Sequence, residues 1–321
     1  MLRLVYRSYG GENWKNRPAW YSKRLVLVSF VRAVRQAQSE GVDVEAVFVN
    51  DGPVSVEQLD LMRPVGTVTE LPRVGMRRSY TFGLHLPQRM GWAADDVVWF
   101  SEDDYLYCPD AFVQLMRGAE AMPDVSYFGL YGTPHGERPT AQRSRTPRGW
   151  ADDPHRVVEG RRWSRLLSIA STFGGRAGVI GEDLPVFRFC MVPHRTMYRD
   201  HDTCVVLQGY EPHSYLEQFR ALALRGEGSF KERVRDAGVA PFLLATNVRS
   251  HRRPTNRRIF MTTVPNLAAH AEDGQLPAGV DWAVLASDVE AWDSSRAAEP
   301  TGGVLGVGPG PLDEVAADGS R

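Results

Sequence analysis

The residues that could do chemistry follow apolar runs. "VEAVFVNDGP" ends its run in Asn50 and Asp51, "VVWFSEDDYLY" passes from an apolar stretch to Glu102, Asp103 and Asp104, and "YRDHDT" adds Asp200 and Asp202. Carboxylates that converge at one edge repel one another, and a divalent cation among them relieves the repulsion. Hard oxygen ligands suit Mg²⁺ or Mn²⁺ better than zinc. Such a cation also holds a diphosphate and neutralises the charge that builds as it departs. The acids therefore point to a nucleotide-type substrate, with Mn²⁺ or Mg²⁺ as the expected cofactor.

These acids need elements to position them. "LRLVYRSY" reads as a strand, and Leu27, Phe30, Val31 and Val34 then recur on one helical face. "VEAVFVND" is a second strand, after which Ser55 and Gln58 are spaced as a capping box. "GTVTEL" and "DVVWFS" read as strands around the weaker helix "SYTFGLHLPQRM". Pro109 and Asp110 open the helix "DAFVQLMRGAEAM", and "VSYFGLYG" is one more strand. Alternation of this kind predicts an α/β fold with a mostly parallel sheet and helices on both faces. Ligands of such sheets bind outside the carboxyl ends of the strands.

Residues 132–162 break the pattern with a Pro-, Arg- and Gly-rich run, read as a flexible loop near the site. Apolar patterning resumes less regularly, with a helix around "SYLEQFRALAL" and a strand "PFLLATNV" that leads to Ser250 and His251. The expected division is therefore a first half over 1–131, the flexible loop over 132–162, a less regular second half over 163–296, and a disordered Gly/Pro-rich tail over 297–321.

The formal charge of -1 over 321 residues gives no global field for nucleic acid or an anionic membrane, so any basic site must be local. Cys108, Cys190 and Cys204 form neither a disulfide framework nor a zinc spacing. With no hydrophobic signal core and no apolar run of membrane-spanning length, a soluble, cytoplasmic chain is expected.

"VNDGP" after the second strand, "GLHLP" on the third helix and "FSEDDYLYCPDAF" after the fourth strand together resemble a GT-A-fold glycosyltransferase close to the family 2 type. The resemblance covers roughly residues 1 to 255. It implies an inverting transfer of a sugar from a nucleotide-diphosphate donor to an acceptor hydroxyl on a glycan, a lipid-linked molecule or a small molecule. By the D-x-D match, Asp104 would bind the metal, Glu102 the ribose or a metal-linked water, and Asp103 would be a supporting acid. Asp51 would meet the base or its ribose, and Arg7 and Tyr9 would contact the nucleotide. Arg77 and Arg78, ahead of the third helix, suit a diphosphate contact. The first acid of the triplet is Glu where the family has Asp, and the third helix lacks the family's Asn.

Inversion requires a carboxylate to take the acceptor's proton. "RDHDTCVV" resembles the family's segment for this base, with Asp202 at the base position, Asp200 two residues before it on an extended segment, and Asp183 in "GVIGED" as a rival. His251 matches the family's late metal-binding histidine. Two other functions compete. One is a nucleotide-sugar-binding protein of the same fold without activity; the other is a metal phosphohydrolase built on the His201-Asp202 doublet. A nucleotidyltransferase would call for a Gly-rich phosphate loop, for which "YGGENWKN" is a poor substitute.

Overall fold

The computed structural model describes residues 1–11, 16–134, 146–151, 154–192, 200–225, 227–251 and 257–297. Its strands are β1 (Leu2–Tyr9), β2 (Val44–Asp51), β3 (Thr67–Leu71), β4 (Val97–Glu102), β5 (Tyr105–Tyr107), β6 (Tyr127–Gly129), β7 (Arg156–Val158), β8 (Arg161–Arg165), β9 (Phe173–Arg176), β10 (Phe260–Val264) and β11 (Ala268–His270). The helices are α1 (Lys23–Ser39), α2 (Val56–Met62), α3 (Met76–Arg89), α4 (Ala111–Ala121), α5 (Ala177–Cys190), α6 (Asp200–Leu207), α7 (Tyr215–Leu222), α8 (Phe230–His251) and α9 (Trp282–Ala297). One sheet runs β3-β2-β1-β4-β9-β6-β10-β8-β7, and every strand in it points the same way except β9 and β8. The expected α/β class, mostly parallel, is what the chain adopts.

Side chains alternate across a strand, so the central strands feed two cores. Tyr6, Phe48 and Trp99 face α1 and α4, where Tyr6 and Phe30 lie 4.7 Å apart and Phe30 and Phe112 5.2 Å. Val5, Val47, Val98 and Phe100 face the other way, against Tyr80 and Leu84 of α3 and Ile180 and Leu184 of α5. Local signals mark the ends. Ser22 Oγ accepts from Leu25 N at the start of α1, and Ser55 with Gln58 forms the expected capping box of α2.

Four expectations change. The run "PFLLATNV" is the second half of helix α8; its buried Ala240, Thr246, Asn247 and Ser250 keep helical spacing, and Asn247 bonds both backbone groups of His213. Short apolar runs do not distinguish strand from helix, and here packing decides. His251 is thus the last residue of a helix rather than the end of a strand. The segment around Asp200 and Asp202 is also helical, as α6. Part of the 132–162 loop is a strand: β7 turns into β8 through Glu159 and Gly160, both at positive φ, which is the two-residue turn that matches strand twist. Residues 135–145 of that loop and 298–321 of the tail lie outside the described residues. Finally, the sequence reading missed α9, whose buried Trp282, Ala286 and Val289 pack toward α1.

Asp183 lies in the core beneath the sheet, fully buried. It accepts from Tyr127 Oη at 2.9 Å and from Arg258 Nε at 2.8 Å. A carboxylate enclosed and neutralised in this way holds the fold together, and the structure places Asp183, the rival candidate base, in the core and outside the cavity lining. Without Asp183, Arg258 keeps the exposed Glu182, 2.6 Å from its Nη2, while Tyr127 Oη and Arg258 Nε lose their acceptor. Asp183→Ala is therefore expected to cost about 1–3 kcal/mol in urea unfolding. A loss below about 1 kcal/mol would show that Arg258 finds solvent instead.

Candidate active site

The carboxyl ends of β1, β2 and β4 open into a cavity of about 700 Å³. Strand register sets its floor. Tyr9 lies level with Asp51 across one ladder, and Arg7 level with Glu102 across the other. Arg7, Tyr9, Asp51, Glu102, Asp103 and Asp104, all expected at the site, line this one cavity.

Each acid of the triplet meets a cation from the N-terminal segment. Arg7 pairs with Glu102, whose other oxygen accepts from Ser171 Oγ. Lys23, at the start of α1, donates to Asp103 and to Tyr9 O, both at 2.7 Å, with its ammonium 3.6 Å from the Tyr9 ring centre. Burial pushes Asp103 up to about 6, with Asp104's charge adding to the rise and Lys23 opposing it. Asp104 Oδ2 takes Arg17 Nη2 at 2.9 Å and His270 Nε2 at 3.0 Å. Burial opposes charge on Asp104, but His270 and Arg17 outweigh it, and its carboxyl lies below the usual range.

Sequence reasoning missed Arg17, Lys23 and His270. The two-stranded ladder of β5 and β11 aligns His270 with Tyr105, and Ala271 N bonds Asp104 O at 2.8 Å. His270 thus occupies the position beside the acids that was expected of His251, about whose side chain nothing is described. Only proximity in the fold reveals this, because 166 residues separate His270 from Asp104.

Asp51 has a different task. Its oxygens accept from Val74 N at 2.6 Å and Gly75 N at 2.7 Å, which turns the chain so that the first turn of α3 faces the cavity. Arg73, at φ 52°, lines the cavity beside Gly52, where a Cβ would strike the Arg73 side chain. Arg77 sits half-buried on the first turn of α3, outside the lining, so Arg73 takes the place expected of it.

Helix α6 separates the two candidate bases. Two residues apart on a helix is roughly 200° around the axis, not one shared face as on a strand. Asp200 turns toward Glu102 and Arg7. Burial, then the charge of Glu102, raise it to about 7 against the pull of Arg7. Asp202 is buried on another side, with Oδ2 3.3 Å from His213 Nε2. Asp200 is thus the one of the three that feels the charges of Glu102 and Arg7; it lies outside the cavity lining, beside a small apolar pocket with Tyr80, Ile169 and Phe173.

The expected divalent cation can be tested against this donor set. It would need several oxygens converging on one point, yet no three His, Cys, Asp or Glu side chains converge in this way among the described residues. Asp104 Oδ1 is buried without a hydrogen bond, but the guanidinium of Arg17 and the imidazole of His270 crowd the same carboxylate.

No family model and no curated protein matches the chain. Among solved structures it is similar to S. aureus TarS 1-349, with 10% identity and a TM-score of 0.37 over 79% of this chain and 73% of that one. It is also similar to a CMP:2-keto-3-deoxy-manno-octonic acid synthetase complexed with CTP, with 15% identity and a TM-score of 0.37 over 92% and 99%. A third is a 4-diphosphocytidyl-2C-methyl-D-erythritol synthase, with 15% identity and a TM-score of 0.35 over 66% and 85%. What the sheet order and strand directions show is a mostly parallel α/β fold. Among the described residues no helix is long and apolar enough to cross a membrane.

Burial opposes protonation of His270, but its hydrogen bond to Asp104 and that charge outweigh burial and raise its pKa from 6.5. A raised folded-state value means stability that is present in full below the unfolded value and lost as pH rises through the folded one. The melting temperature of His270→Gln is expected to fall furthest below wild type near pH 6 and to approach it near pH 9. A gap that is constant with pH would mean that the imidazole contributes by packing alone.

Proposed function

We propose that this protein is an inverting glycosyltransferase that moves a sugar from a nucleotide-diphosphate donor to an acceptor hydroxyl. The observation that carries this reading is the cavity at the carboxyl ends of β1, β2 and β4, lined by Arg7, Tyr9, Asp51, Arg73 and the acid triplet; the candidate base near it is Asp200, raised to about 7 by burial and by the charge of Glu102. A general base works best with a pKa near the working pH, because it is then ionised and still a strong proton acceptor.

The cleft supplies the remaining roles. The Tyr9 ring, 42% exposed, offers a surface on which a base can stack. Arg73 and the first turn of α3 favour an anion together, the helix end through its backbone N–H groups and the arginine through its fork. Lys23 and Arg17 are held by their carboxylates at the cleft floor, and they neutralise charge on the departing diphosphate. Asp200 takes the acceptor's proton as the acceptor oxygen bonds to the anomeric carbon and the carbon–oxygen bond to the diphosphate breaks. The nucleotide diphosphate leaves with that electron pair.

Nucleotide release from a panel of UDP-, GDP-, dTDP- and CDP-sugars, with thermal shift for binding, tests the reading. The rate is expected to rise with pH through about 7, as the base ionises. Asp200→Asn is expected to lower it by about 10²–10⁴ while nucleotide still raises the melting temperature. Unchanged turnover in that variant refutes the assignment of the base, and binding without release from any donor favours a non-catalytic sugar-nucleotide-binding protein. Because protein cations carry the phosphate charge, stabilisation by nucleotide is expected to persist in EDTA; a strict need for Mn²⁺ returns the metal to the site.

A further inference from the structure

The helical hairpin of α7 and α8 exposes apolar surface that the core does not explain. Helix α7 has no buried residue. More than half of the exposed large apolar side chains among the described residues fall between Leu216 and Val248, with Phe219 58% and Phe230 67% exposed. Apolar surface gathered in this way marks an interaction site, whereas scattered exposed residues need no explanation.

The pattern around the helices identifies the partner. On α8, Phe230, Val234, Ala237 and Pro241 recur at i, i+4, i+7 and i+11 and form one stripe. At 100° per residue, Arg233 flanks one edge of the stripe and Lys231 the other, while Glu232 and Asp236 fall on the opposite side of the helix. Both acids are already engaged: Glu232 accepts from Ser229 N at 2.7 Å, and Asp236 pairs with Arg235 at 3.1 Å. On α7, Leu216 and Phe219 share a face, with the C-cap Ala223 beyond them and Arg220 at its border.

Apolar stripes bordered by cations, with the acids turned away, match a surface that is apolar within and anionic at its rim. A bilayer interface containing acidic headgroups has that layering: Phe and Leu enter the acyl boundary and Arg and Lys remain among the phosphates. We propose that α7 and α8 form a docking surface for an anionic lipid bilayer, on which the protein lies without crossing. This inference does not depend on the transferase reading.

Co-sedimentation of the full chain with vesicles tests it, using phosphatidylcholine alone or mixed with phosphatidylglycerol. Binding is expected to the mixed vesicles, to weaken with added salt, and to be much lower on phosphatidylcholine alone. Phe219→Ser and Phe230→Ser are each expected to weaken binding about tenfold, since each removes one large apolar side chain from the interface. Lys231→Glu should weaken binding without altering the melting temperature, which separates docking from folding. Absence of binding to mixed vesicles, equal binding to neutral ones, or full binding by the double Phe variant overturns the proposal. So does sedimentation equilibrium that finds a wild-type dimer converted to monomer by the Phe substitutions, because the patch then belongs to a second copy.

Discussion

The pairing of three carboxylates after β4 with three cations from the N-terminal segment is the constraint on which the cleft depends. Glu102, Asp103 and Asp104 leave a strand that is buried on both faces, where charge without a partner is costly. Arg7 reaches them along β1, Lys23 from the first residue of α1, and Arg17 from the connection between the two. The path of the chain from Arg7 to Lys23 is therefore tied to the acids at both ends. The same residues line the cavity, so one set of contacts both satisfies buried charge and shapes its floor.

Polar identity at the strand ends was legible because strand periodicity and turn chemistry are local. β1 to β4, α1 to α4 and the shared cavity of Arg7, Tyr9, Asp51 and the acid triplet follow from apolar runs that end in charged residues. What a residue does at that edge was less legible. Asp51 reads as a ligand contact, yet its oxygens hold the backbone of Val74 and Gly75, a role that depends on where a loop twenty residues later returns. Arg73 replaces Arg77 for the same reason.

The second half was harder to read because tertiary packing decides it. "PFLLATNV" has apolar residues in a run that suits strand and helix alike, and the bond of Asn247 to His213 is invisible in sequence. The phase of α6 matters more. One change from extended to helical backbone separates Asp200 from Asp202 and transfers the candidate base from one to the other. Helix α9 carries no clear apolar periodicity either, and it is the packing of Trp282, Ala286 and Val289 that decides it.

The ladder of β5 and β11 has a consequence for how the protein is made. It joins His270 to Asp104 across 166 residues, and β10 enters the sheet beside β6 just before it. Contacts of such long range form only once both partners exist, and during synthesis the amino-terminal part emerges first. A nascent chain can therefore pair the acids with Arg7, Lys23 and Arg17 before β11 exists, and Asp104 gains its second partner, His270, only when that later strand has been made.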